Sequence, residues 1–173
     1  FAIWQQELER TGVLQQQGHY WKNLLQGYSG CLSLPVRQSR PAQQSHAGGC
    51  VSFALSAELT QGLIALAAKA QVTLYTLMLA AFQAFLHRLA QSDDVVVGVD
   101  YAGRQQAELE ELIGFFVNVL PVRSRQTPDI TFSAFLAQVR DNLLNAFEHQ
   151  DLPFDMIVEA AQTPRHKGIS PLV

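Results

Sequence analysis

The stretch Ile113 to Arg123, IGFFVNVLPVR, constrains the fold more than any other part of the chain. It is too apolar for a loop, too short for a buried helix, and rich in aromatic and β-branched residues. Those features predict a strand inside a sheet. Asn118 interrupts it. An unpaired buried amide costs about 1–3 kcal/mol, so Asn118 is either pinned to neighbouring backbone or turned toward a polar cavity. A cavity-facing amide would tolerate Asn118→Asp with little change in melting temperature. Gly114 predicts a close backbone approach where the strand begins. Pro121 cannot donate to a ladder, which places that side of the strand at an edge, a bulge or an interface.

The flanking sequence alternates between helical and strand patterns. Residues 5 to 26 read as a helix with Leu8, Tyr20, Trp21, Leu24 and Leu25 on one stripe, weakened by Gly12 and Gly18 and capped by Gly27. Residues 27 to 49, rich in Ser, Gln and Pro, read as a long surface loop. Cys50 to Leu55 alternates and predicts a strand. Ser56 caps a helix to about Gln71, and Thr73 caps the next. In that second helix Leu74, Leu77, Met78, Ala81, Phe82, Phe85 and Leu89 predict a largely buried stripe. Asp94 to Asp100 predicts a strand covered on both faces. Thr131 or Ser133 caps a helix burying Phe132, Phe135, Leu136, Val139, Leu143 and Phe147. Pro153 starts a short final helix. The class is α/β, a mixed sheet flanked by helices.

Composition excludes several functions. Net charge is −3 with no basic run, which argues against nucleic-acid binding. No apolar run approaches the roughly 20 residues of a membrane span. Cys31 and Cys50 make neither a disulfide framework nor a zinc site and read as reduced thiols of a cytoplasmic protein. His19, His46, His87 and His166 lack metal-ligand spacing. No Gly-rich phosphate loop is present, so ATP chemistry belongs elsewhere. Only 16% of residues are charged, below the usual quarter, which implies a surface covered by another domain. Phe1-Ala-Ile-Trp4 and Pro171-Leu172-Val173 both read as interior to a longer chain.

Several motifs, in order and at matching separations, carry a family resemblance. They are Phe1-Ala-Ile-Trp4, Val95-Val96-Val97-Gly98 followed by Ala102-Gly103-Arg104, Ile113-Gly-Phe-Phe-Val-Asn118, His149-Gln-Asp-Leu-Pro-Phe154, and Arg165 with Pro171-Leu172. Together they resemble the condensation domain of nonribosomal peptide synthetases. The resemblance covers all 173 residues but only the C-terminal half of such a domain.

That resemblance implies one lobe of a V-shaped, chloramphenicol acetyltransferase-like fold, with a tunnel between lobes. It implies partners: the N-terminal lobe, upstream donor and downstream acceptor carrier domains, and an adenylation domain, with no membrane. The carriers would bring thioesters on phosphopantetheine arms, and no cofactor would bind the chain directly. An amide would form between the two substrates. The family's two adjacent His, followed after three residues by Asp-Gly, are not in this sequence, so no catalytic residue is assigned and the chain alone is expected to be inactive. His166 and Ser170 stand where the family carries an acid and an amide.

Residue by residue, the resemblance places Gly103, Arg104, Asn118 and Arg165 at the tunnel or lobe interface. Trp4, Gly114, Gln150, Asp151 and Pro153 are its structural motif residues. The alternatives for each are bland: a solvated turn at Ala102-Gly103-Arg104, a surface Arg165, a packed aromatic at Trp4. His149 beside Asp151 reads as a helix-to-helix corner rather than a catalytic dyad, with Gln150 and Asp151 satisfying backbone or capping the Pro153 helix. Two other functions stay open: a docking module on the same scaffold, or an epimerising relative.

Overall fold

A computed structural model describes residues 2–36, 47–104, 106–164 and 170–172. Its elements run α1 (Ala2–Arg10), α2 (Val13–Leu25), α3 (Ala57–Lys69), α4 (Leu74–Ala90), β1 (Asp94–Tyr101), α5 (Ala107–Glu110), β2 (Asn118–Arg125), α6 (Phe132–Glu148) and α7 (Phe154–Ala161). The α/β class holds. Of the sheet, the described residues form one antiparallel pair, β1 with β2, in which Gly98 faces Pro121 and Tyr101 faces Asn118.

Local signals set the helix ends. Ser56 accepts from the Leu59 amide, Thr73 from Thr76, and Thr131 from Ala134. Each satisfies a backbone donor that the first helical turn would otherwise leave orphaned. Pro153 sits at the N-cap of α7, one residue ahead of the first turn. The single helix expected over 5–26 is two. Gly12, at φ +80°, takes the left-handed backbone that turns α1 into α2, and Gly27, at φ +75°, ends α2.

The core joins Trp21 and Leu25 of α2, Val96 and Val99 of β1, Leu120 and Val122 of β2, Phe135 and Val139 of α6, and Ile157 of α7. Each buried apolar side chain contributes about 1.5–3 kcal/mol. β2 packs on α6 and α7, α2 packs on α7, and α4 bridges α6 and β1.

Four expectations need correction. The strand expected at Ile113 begins only at Asn118 and continues to Arg125; Ile113 and Phe115 lie almost fully in solvent. Apolar content alone did not fix where pairing starts; the ladder to Tyr101 does. Cys50–Leu55 is not a strand, and Val51 and Phe53 are 90% and 86% exposed. Alternation specifies which face a strand would bury, but a strand also needs a neighbour to bond, and none of the described residues supplies it. In α4 the buried residues are Thr76, Leu77, Leu79, Ala80, Gln83, Leu86 and His87. Met78, Phe82, Phe85 and Leu89 of the expected stripe are exposed. The helix is apolar nearly all round, so periodicity could not choose its inner face. Polar Gln83 and His87 go inside because partners await them: Gln83 Nε2 donates to the Val122 carbonyl at 2.9 Å, and His87 Nε2 lies 3.0 Å from Ser124 Oγ. β1 is covered on both faces only at Val95 and Val96, whereas Leu120 to Ser124 of β2 is buried without a break.

Candidate functional site

The site is built around a corner, residues 149–154, wedged between α2 and the start of β2. Trp21 Nε1 donates to the His149 carbonyl at 2.9 Å, and Tyr20 stacks on the His149 ring at 3.7 Å. Gln17 faces the corner from one turn earlier. Its Nε2 donates to Asp151 Oδ2 at 2.9 Å, while its Oε1 accepts from the Leu152 amide. Asp151 therefore receives a side chain from α2 and does not cap α7.

Asn118 closes the corner from the opposite side. Its Nδ2 donates to the carbonyls of Gln150 at 3.0 Å and Leu152 at 2.9 Å. Its Oδ1 accepts from the amides of Val119 and Phe154, both at 3.0 Å. Two donors and two acceptor bonds use the full capacity of an amide. Of the two readings of Asn118, the geometry supports backbone pinning, and the expectation that Asn118→Asp leaves stability unchanged is reversed. Asn118 also borders a cavity, so its clamp fixes a cavity wall.

Gly103, Arg104 and Gly114 converge on Phe116. Gly103 has φ +67°, and a Cβ there would collide with the Phe116 carbonyl oxygen. A Cβ on Gly114 would meet the Phe116 ring at 2.9 Å. Arg104 lies over that ring, 4.4 Å from its centroid, and donates to the carbonyls of Leu109 and Glu110 at the end of α5. Its fork of donors, expected to face another lobe, is thus turned inward onto its own chain. Arg165 lies outside the described residues.

Around these clamps lies a cavity of about 430 Å³. Trp4 of α1, Tyr101 of β1, Phe115, Phe116, Phe154 and Asp155 line it, with Gly103, Asn118, Gln150, Asp151 and Pro153. Among the described residues no histidine lines it. Among the described residues no cluster of His, Cys, Asp and Glu could hold a metal ion. Cys31 and Cys50 are free thiols. No single helix among the described residues is long and apolar enough to cross a membrane.

Sequence reasoning missed a second anchor. Arg123, almost fully buried on β2, grips both oxygens of Asp94 with Nε and Nη2. Its Nη1 donates to the carbonyls of Leu24 at 2.6 Å and Gln26 at 2.9 Å, which ties the sheet to the end of α2. The signal was available: Arg123 pairs with Val96, so Asp94 sits diagonally on the same face, within reach of a long side chain. Tyr28 lies beside this pair, and burial, aided by Asp94, pushes its phenol up to about 12.

The match to a family follows this geometry. The chain belongs to the condensation-domain family, whose model matches residues 1–173. Its fold is accordingly the chloramphenicol acetyltransferase-like α/β fold of condensation domains. It is 40% identical over 172 residues to tyrocidine synthase 2 of Brevibacillus parabrevis, covering 99% of this chain and 5% of that protein. Tyrocidine synthase 3 of the same organism is also 40% identical over 172 residues, with 99% and 3% covered. The chain thus spans a small fraction of the curated relatives it matches. Among solved structures, the X-domain from teicoplanin biosynthesis superposes with a TM-score of 0.90 at 30% identity, over 99% of this chain and 39% of that one. The four-domain nonribosomal peptide synthetase AB3403, bound to AMP and glycine, gives 0.87 at 33%, over 90% and 12%.

Proposed function

We propose that this chain is the C-terminal lobe of a peptide-bond-forming condensation domain and forms one wall of the channel where two carrier-tethered thioesters meet. The amine of the acceptor attacks the donor thioester, the amide forms, and the donor's carrier thiol leaves. The proton-handling His comes from the N-terminal lobe, since this sequence holds no adjacent His pair. The wall's contribution is positioning, which can supply several kcal/mol of the barrier when both reactants are held in line. Partners are the N-terminal lobe, the donor and acceptor carrier domains with their phosphopantetheine arms, and an adenylation domain that loads them.

One observation carries this reading. The cavity, its wall fixed by Asn118 and Gly103, lies beside an uncovered apolar strip in which Ile113 and Phe115 are 104% and 90% exposed. An apolar strip of that exposure marks a surface normally covered by another body. The test is reconstitution. The intact domain containing this chain is given two loaded carrier domains, and dipeptidyl thioester is read by mass spectrometry. Product from the intact domain and none from this chain alone is expected. Product from this chain alone would refute the reading.

A docking module is the second reading. It is favoured by the likeness to the X-domain from teicoplanin biosynthesis, which also has a structure in complex with OxyB at TM-score 0.91 and 30% identity. The synthases matched at about 40% identity favour the condensing reading. An intact domain that binds a partner enzyme but yields no amide product would decide for docking.

A further inference from the structure

Gln17 and Asp151 stand 134 residues apart and meet through a hydrogen bond of fixed polarity. Gln17 is buried on α2, with 5% of its surface exposed. Its Oε1 accepts from the Leu152 amide at 2.9 Å, and its Nε2 donates to Asp151 Oδ2 at 2.9 Å. A backbone N–H can only donate, so the Leu152 amide dictates which end of the Gln17 carboxamide meets Asp151. The backbone around Asp151 is fixed as well, because Asn118 donates to the carbonyls of Gln150 and Leu152.

Asp151 is half-buried and lines the cavity, whereas Gln17 does not. With Oδ2 held by α2, Oδ1 has no partner among the described residues. Arg104, the cation stacked on Phe116 of the same lining, is held on the carbonyls of Leu109 and Glu110 and bonds neither oxygen. A corner that needed only to be held together would be served by an uncharged side chain at 151, since a carboxylate costs more to desolvate than a carboxamide. A carboxylate with one oxygen tied and one free is a rigid acceptor aimed in one direction.

From this polarity we infer that Gln17 is a positioning residue for the proposed reaction. It acts through Asp151, presenting Oδ1 to the cavity as an oriented hydrogen-bond acceptor for an N–H of a carrier-tethered reactant. The role rests on the channel reading and adds to it a pair of residues that aims one group. The N–H belongs either to the attacking amine or to an amide of a phosphopantetheine arm, and kinetics separates the two.

The test is a polarity swap in the intact domain, read by dipeptidyl thioester formation from two loaded carriers. In Asp151→Asn the new carboxamide must turn its oxygen to the Gln17 donor, so its NH2 faces the cavity where an acceptor stood. The value of kcat/KM should fall at least about tenfold, while the melting point stays within about 5 °C of the parent's. Gln17→Glu alone sets two carboxylates against each other and should lose stability and rate together. In the double variant Gln17→Glu/Asp151→Asn the pair bonds in the opposite sense. The carboxylate introduced at 17 accepts from the Leu152 amide and from the NH2 at 151, and the carboxamide oxygen at 151 returns to the cavity. That variant should regain the parent's stability and most of the lost kcat/KM. A loss confined to kcat assigns the attacking amine as the donor; a raised KM for one loaded carrier assigns the amide of its arm. Asp151→Asn as active as the parent overturns the inference, and so does a double variant that regains stability but not rate. Either result, with amide formed normally by the parent domain, leaves the channel reading intact. A parent domain that forms no amide overturns that reading and this role together.

Discussion

Replacing Asn118 by Asp is the sharpest probe of how this molecule is held together. The change is nearly isosteric. Both acceptor bonds survive, and a negative charge beside the Phe154 amide, at the start of α7, gains about 0.3–1 kcal/mol. Both donor bonds are lost. The carbonyls of Gln150 and Leu152, at 3.0 and 2.9 Å, then face an oxygen instead of an N–H. Each carbonyl left unpaired costs about 1–3 kcal/mol, so the net loss is about 1–6 kcal/mol after the helix gain. For a chain of this size that lowers the melting point by about 2–24 °C. Urea denaturation should show a lower midpoint at unchanged slope, the mark of lost stability without a changed denatured state. A variant that melts with the parent at neutral pH would refute the clamp and return Asn118 to a purely cavity-facing role.

Three further outcomes are expected from the same contacts. Arg123→Met leaves the Asp94 carboxylate and two carbonyls without their donor and should cost about 3–5 kcal/mol in urea denaturation; an unchanged midpoint would refute the anchor. Phe82→Ser and Phe85→Ser, on the exposed face of α4, should change the stability of this chain by no more than about 0.5 kcal/mol while reducing its binding of a hydrophobic dye. In the intact domain the same pair should destabilise because the exposed apolar face of α4 is expected to pack on another part of the protein, and equal effects in both contexts would show that it does not. Tyr20 and Tyr28 are both held to about 12 by burial, so the stability they contribute is full below pH 10.0 and declines as pH rises toward 12. Tyr28→Phe should flatten that alkaline decline in a pH series of melts, and an unchanged decline would count against the shift.

The sequence by itself determined the parts of this protein that depend on near neighbours. Ser56, Thr73 and Thr131 mark helix starts because a cap bonds an amide three residues away. Gly27 marks the end of α2 because its backbone adopts a left-handed angle, whereas Gly12 read only as a weak point in one helix and the break there was decided by the fold. Gly114 and Asn118 were legible as special because a glycine or an amide in apolar company needs a local reason, whereas Gly103 and Arg104 were singled out only by the family resemblance. What each one does was decided only in three dimensions. Asn118 and the corner it holds are more than thirty residues apart, and Gln17 reaches Asp151 across 134. The inner face of α4 and the missing pairing of Cys50–Leu55 were also beyond the pattern. A helix that is apolar nearly all round can bury either side, and an alternating run becomes a strand only when a neighbour completes its hydrogen bonds. Local bonding is written in adjacent letters, whereas partner choice is settled by which distant groups folding brings within about 3 Å.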